Sequence, residues 1–166
     1  MFNLSEGRMK ENYLETISLI EKLHRLFLEV IKCELDDLKI EDINNVQALV
    51  LYNLGGEQIS IGELTTRGCY LGSNVSYNLK KMVQYGYIDQ VTSKHDKRSY
   101  LIKLSSKGIS LCKKIDVALN KHVKLLEGEG ITGLGELVAC LRRLEVFWNS
   151  ASAPRMRFGM GFKKDK

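Results

Sequence analysis

Between residues 73 and 78, five of six consecutive side chains are uncharged and polar (Ser73, Asn74, Ser76, Tyr77 and Asn78), and Lys80 and Lys81 follow. Short hydroxyls and amides near a helix N-terminus suit hydrogen bonding to base edges and phosphates in a DNA major groove, with lysines directed at the backbone. A plainer account, a helix cap at Ser73 and a solvated face beyond it, explains Ser73 well. It explains less well a run of neutral polar groups where exposed helical faces are ordinarily charged. A second cluster, Lys94, His95, Asp96, Lys97 and Arg98, fills a short polar stretch. A guanidinium at a hairpin tip can enter a narrow minor groove, where negative potential is concentrated. Asp96 stands two residues before Arg98 and could orient it through a charge-assisted hydrogen bond. Lys94, Lys97 and His95 would then meet phosphates. For Lys94 and His95 the solubility of a charged tip is an equal account.

Other chemistries lack their residues. No G-x-S-x-G, P-loop or strand-coupled G-x-G-x-x-G is present, so the nucleophiles and phosphate cradles they provide have no carrier. His24, His95 and His122 have no nucleophile or carboxylate set nearby in sequence, and an enzyme is not expected. Cys33, Cys69, Cys112 and Cys140 form no C-x-x-C pair and have no histidine at ligand spacing, so no zinc or other metal is expected. No cofactor is expected either. Cys33, between Lys32 and Glu34, is the candidate for a redox-responsive thiol, against a default of small packed apolar groups.

The elements that position these residues follow from periodicity. Leu14, Ile17, Ile20, Leu23, Phe27, Val30, Ile31, Leu35 and Leu38 recur at steps of three and four, which predicts an amphipathic helix over 10–37. At 1.5 Å per residue it would be about 40 Å long, more than one small core needs. A second helix is expected after Asp42 as N-cap, ending at Gly55 and Gly56. Ser60 and Glu63 form a capping box that opens a third, ending near Gly68. Ser73 caps a fourth, which stops at Gly86, and the short gap between the two is helix-turn-helix spacing. Alternation over 87–91 and 99–104 predicts a two-stranded hairpin, and helices over 105–127 and 132–148 close the fold. Residues 150–166 contain the single proline, five basic groups and no usable period, as expected of a disordered basic tail.

Composition agrees with this organisation. The chain has 166 residues, 44% of them hydrophobic and 27% charged, which is globular in kind. It holds no apolar run of the roughly 20 residues that cross a bilayer. Its start also lacks the cationic-then-apolar order of a secretory signal, so no membrane partner and a cytoplasmic location are expected. The net charge of +5 is unevenly spread. Residues 57–114 carry 10 basic and 4 acidic groups, a balance of +6, whereas residues 1–56 carry 6 and 10, a balance of −4. A basic block holding both polar clusters is the asymmetry expected of a nucleic-acid-binding module, although a solvated basic face has the same charge.

In this order of elements the sequence resembles the MarR-type winged helix-turn-helix transcription regulators of bacteria. The resemblance covers 40–108 in motif detail and 10–148 in helix order. Glu63, Leu64, Thr65 and Thr66 resemble the start of the first helix of the motif, and Ser73 through Leu79 the start of the second. Asp96, Lys97, Arg98 and Ser99 are similar to the family's D-x-R-[SA] wing, and Leu104, Ser105, Ser106, Lys107 and Gly108 to its L-[TS]-x-K-G pattern. Two positions depart from the family. Tyr77 stands where arginine is usual, and Asn78 where an apolar residue is common. A phenol cannot make the bidentate guanine contact of an arginine, so the operator of better-known relatives does not carry over.

The resemblance implies a mainly α fold with a two-stranded β wing, a winged helix-turn-helix lobe, and N- and C-terminal dimerisation helices. Residues 1–149 would be one subunit, with the lobe at about 41–107 and the dimerisation helices at about 10–38 and 109–148. Thr65, Thr66 and Arg67 join the DNA-binding residues named above. The implied partners are duplex DNA and a second copy of the chain. A twofold dimer places recognition helices roughly 34 Å apart, which predicts an inverted-repeat operator. A small aromatic effector relieving repression is also implied, in a crevice lined by Phe27, Ile31, Leu51, Tyr52, Cys69 and Tyr70, each of which taken singly reads as ordinary core. The competing readings are a regulator switched through Cys33 and a winged-helix module that binds protein without a DNA target.

Overall fold

The computed structural model describes residues 4–67, 75–92 and 100–152. Among these, six helices and three strands follow in the order α1 (Leu4–Asp37), α2 (Asn45–Leu54), β1 (Ile59–Ser60), α3 (Ile61–Arg67), α4 (Val75–Gln84), β2 (Ile88–Thr92), β3 (Tyr100–Leu104), α5 (Ser106–Gly128) and α6 (Leu134–Ser152). The chain divides into two compact units, Met1–Asn120 and Lys121–Lys166. The tail 153–166 lies outside the described residues.

In the first unit α1 is 34 residues long, about 50 Å at 1.5 Å per residue. It starts six residues before the expected bound at residue 10, because nothing in that segment stops a helix already nucleated downstream. Its end is a Schellman turn: Ile40 N–H donates to Leu35 O at 2.9 Å and Lys39 N–H to Asp36 O at 3.0 Å. Lys39 occupies the left-handed position at φ 56°, where glycine is usual.

The N-cap of α2 is Asn44, not Asp42. Asn44 Oδ1 accepts Gln47 N–H at 2.8 Å and Gln47 Oε1 accepts Asn44 N–H at 3.2 Å, a reciprocal box that Asp42 has no partner to form. Asp42 instead accepts hydrogen bonds from Tyr87 and Lys107. α2 is the centre of this unit, with Ala48, Leu49, Val50, Leu51 and Leu54 buried. Ile31 and Leu35 of α1, Leu64, Leu79, Met82, Ile102, Leu111 and Ile115 complete the core around it.

The expected hairpin forms, at 88–92 and 100–104, but the sheet has three strands in the order β1-β3-β2. Ile59 pairs with Ile102, and Ile88 with Leu104. Two residues are too few for an alternation to register in sequence, and the same stretch also serves as the cap of α3. Ser60 Oγ accepts Glu63 N–H at 3.1 Å and Glu63 Oε2 accepts Ser60 N–H at 2.7 Å, as the S-x-x-E spacing requires.

The second unit holds the last turns of α5 and all of α6. Leu141 and Leu144 of α6 are partly covered, whereas Leu134, Leu137, Val138, Val146 and Phe147 are exposed. No helix among the described residues is long and apolar enough to cross a membrane.

Candidate nucleic-acid interface

The second helix of the motif, α4, is oriented by its apolar side. Leu79 and Met82 are buried at 2% and 0% exposure, which turns Tyr77, 59% exposed, and the exposed Lys80 outward. Lys81 is half-buried, with Nζ 5.1 Å from the Tyr77 ring centroid. A hydrogen bond with Tyr77 and the field of that phenol raise the Lys81 ammonium above the usual lysine value, so it is cationic at neutral pH. α4 ends at Gln84, and the turn that closes it is made at Gly86. Tyr87 N–H reaches Met82 O at 2.9 Å while Gly86 adopts φ 75°, a conformation glycine takes at no steric cost.

Three residues whose roles composition and motif spacing did not reveal fix this helix to its neighbours. Lys107 Nζ meets Asp42 Oδ2 and donates to Tyr85 O at 2.9 Å, and it lies 4.0 Å over the Tyr87 ring. Tyr87 Oη donates to the other oxygen of Asp42 at 2.7 Å. Burial alone would raise the Asp42 carboxyl, but the hydrogen bonds from Lys107 and Tyr87 outweigh it and hold the carboxyl below its usual value. Burial, and next the hydrogen bond to Asp42, push the Tyr87 phenol up. The lysine of the L-[TS]-x-K-G pattern is therefore a clasp joining the start of α5 to the end of α4 and the approach to α2. Its glycine has a separate reason, since a Cβ on Gly108 would stand 2.3 Å from the Tyr87 carbonyl oxygen. The third residue is Gln47, 4% exposed, whose Nε2 donates to Asn78 Oδ1 at 3.0 Å. A lone Gln in an apolar run was the available signal.

Of the expected DNA-binding residues, Tyr77, Asn78, Lys80 and Lys81 are placed together on α4. Ser73, Asn74, Lys94, Asp96, Lys97 and Arg98 lie outside the described residues. Thr65, Thr66 and Arg67 fall in α3 and Ser76 in α4, with side chains outside the described residues.

The expected effector residues that the structure describes differ in burial. Ile31 and Leu51 are fully buried in the core and Phe27 is exposed on α1; Cys69 and Tyr70 lie outside the described residues. Tyr52 lines a groove of about 640 Å³, with Leu104, Ile109, Cys112 and Val117 as its apolar wall. Tyr52 Oη donates to Asp116 Oδ1 at 2.9 Å at this groove, and that bond, then burial, raises the phenol above its usual value. Ile31 and Leu51 are core because α2 is wrapped by apolar neighbours. Cys33 is exposed, as its charged neighbours indicated. No His, Cys, Asp and Glu group among the described residues could hold a metal ion.

Residues 43–108 match the winged helix DNA-binding domain family. The exopolysaccharide II synthesis transcriptional activator ExpG of Rhizobium meliloti (strain 1021) is 38% identical over 142 residues, spanning 84% of this chain and 73% of the relative. A MarR mutant of E. coli solved with operator DNA superposes with a TM-score of 0.64 at 20% identity, covering 80% of this chain and 95% of that one. Staphylococcus aureus MarR, solved with salicylate and kanamycin, gives 0.68 at 17% identity over 87% and 97%. The chain belongs to the winged-helix transcription regulators, and its fold is of the MarR type.

Proposed function

We propose that the protein is a homodimeric, sequence-specific DNA-binding regulator that recognises an inverted repeat and is released by a small aromatic ligand. The observation that carries the reading is the outward face of α4, where Tyr77, Lys80 and Lys81 stand over buried Leu79 and Met82. This helix lies in the block whose charge balance is +6, as phosphate neutralisation requires. The E. coli neighbour solved on operator DNA supports the same placement for this fold. In this reading the lobe at 41–107 meets DNA, with Thr65, Thr66, Arg67, Ser73, Asn74 and Ser76 beside Tyr77. Lys94, Asp96, Lys97 and Arg98 act from the wing.

Leu14, Leu23 and Leu26 on α1, and Leu137, Val138 and Phe147 on α6, are all about half exposed. A second copy covering such side chains gives the apolar stripes a use that one chain leaves open. The groove beside Tyr52 supports the effector, since about 640 Å³ falls within the roughly 300–1,000 Å³ of small-molecule sites. Salicylate bound by the S. aureus neighbour points to the same ligand class.

Labelled duplex selected from a randomised pool tests the reading. Six to ten phosphate contacts predict a loss of roughly 10³–10⁵ in affinity between about 50 and 200 mM salt. A flat salt response, or unchanged binding by a triple Lys80→Ala, Lys81→Ala, Arg98→Ala variant, would refute it. Thermal melting against a panel of aromatic acids tests the effector, and an unchanged midpoint at millimolar ligand refutes it.

A further inference from the structure

The flank of α4 that faces the start of α2 is not closed by apolar packing. Asn44, Gln47, Tyr77, Asn78 and Lys81 help to line a crevice of about 370 Å³ there. The hydrogen bond from Gln47 Nε2 to Asn78 Oδ1, 3.0 Å long, spans it. Gln47 is 4% exposed, and its Oε1 is already committed to Asn44 N–H in the capping box of α2. With the oxygen held by an N–H, the amide nitrogen must point at Asn78, and Asn78 must answer with its oxygen. Along α4, Asn78 precedes the buried Leu79 by one residue and the buried Met82 by one turn, on the inner side of the exposed Tyr77. An amide here therefore has a partner waiting inside the fold.

Resting on the DNA-binding reading above, we infer that Asn78 is a positioning residue for DNA recognition: tethered to the buried Gln47, it sets the roll of α4 and reads no base itself. Side chains reach about 5–6 Å from a helix axis, so a roll of about 10° displaces the Tyr77 and Lys80 faces by about 1 Å. That is larger than the spread of good hydrogen-bond lengths, roughly 2.7–3.2 Å. The tether acts near the N-terminal half of α4, while the Lys107 clasp holds the opposite end at Tyr85 and Tyr87. Together the two fix both ends of the helix.

The test uses duplexes with a randomised core, selected on the full-length wild-type chain. Affinity for the selected duplex and urea unfolding are then measured for Asn78→Leu, Gln47→Met and the double variant. Asn78→Leu strands the buried Gln47 amide nitrogen, and Gln47→Met strands the part-buried Asn78 oxygen and the Asn44 N–H of the α2 cap. Each is expected to weaken binding about tenfold, whereas the double variant, left with only the cost to the cap, is expected to regain affinity to within about threefold. The double variant is also expected to select the wild-type sequence from a fresh pool. Changed preference at one base pair, or a double variant as weak as Asn78→Leu alone, would show that Asn78 reads a base and overturn the inference. Single variants that bind like wild type would overturn it too. If a single variant fails to fold, the double variant decides by the sequence it selects. A wild-type chain that retains no duplex refutes the DNA-binding reading and the inference with it, whereas altered base preference refutes the inference alone.

Discussion

Gly108→Ala would place a methyl group where the chain has no room for one. The Cβ would lie 2.3 Å from the Tyr87 carbonyl oxygen and 3.2 Å from Leu104 Cδ2. Ordinary C···O contacts are about 3.3 Å or longer, so the first turn of α5 and the start of β2 must separate by about 1 Å. Neither side is free to move. The Tyr87 carbonyl accepts Ser105 N–H at 3.0 Å, and Ser105 Oγ accepts Gly108 N–H at 3.1 Å while donating to Gly86 O at 2.6 Å. Overpacking costs about 1–3 kcal/mol, and a weakened buried hydrogen bond adds about 0.5–1.5 kcal/mol. Alanine's helix propensity returns about 1 kcal/mol. The net is a destabilisation of about 2 kcal/mol, or roughly 4–8 °C in Tm for a chain of this length. Gly7 is the control, because it lies in exposed α1 with nothing within 4 Å of its added Cβ. There the propensity term acts alone, and Gly7→Ala should stabilise by up to about 1 kcal/mol. Urea unfolding followed by circular dichroism reads both. A Gly108→Ala midpoint at or above that of wild type, with Gly7→Ala behaving as stated, refutes the contact argument.

Asp42→Asn should cost about 0.2–1 kcal/mol at neutral pH, the range for a partly exposed ion pair. Because the Asp42 carboxyl is held below its usual 3.8, its contribution is present above that pH and lost as pH falls through the folded value. The gap between wild type and variant should therefore close in acid unfolding titrations, and a constant gap would contradict the clasp. Lys39→Gly relieves a left-handed lysine at φ 56° and should raise stability by about 0.5–1 kcal/mol in the same urea assay; a loss would mean the lysine side chain matters more than its backbone. Burial pushes the Cys112 thiol up to about 11, so at about pH 8 roughly one in a thousand is ionised and reactive. Peptide mapping after brief alkylation should find exposed Cys33 and Cys140 labelled well ahead of Cys112, and equal labelling would show that Cys112 is not shielded.

Most of the helices were legible because their causes are local. The apolar steps of three and four in α1, the Ser60 to Glu63 box and the stop at Gly86 each depend on residues a few positions apart, and each stands in the structure where its pattern lies. The outward placement of Tyr77 and Lys80 was legible for the same reason, since the buried Leu79 and Met82 turn them away from the core. What was misjudged involved a choice between local partners or a partner distant in sequence. Asp42 was a good cap by type, yet its charge is better satisfied by Lys107, 65 residues on, while Asn44 has Gln47 at the spacing a reciprocal box needs. β1 is two residues long and exists because Ile59 finds Ile102.

The sequence alone thus determined the element order, the basic helix-turn-helix block and the resemblance to a winged-helix regulator, all of them carried by short-range spacing and composition. Tertiary structure decided which polar residues are partnered inside. Asn78 turns to Gln47, Lys107 clasps Asp42 and Tyr85, and Gly108 yields its side-chain space to the Tyr87 carbonyl. Ile31 and Leu51 became core and Tyr52 the wall of a groove by the same long-range packing. A pattern in one segment records which side of an element is apolar. The partner that a buried amide, charge or carbonyl meets depends on which distant segment folding brings alongside it.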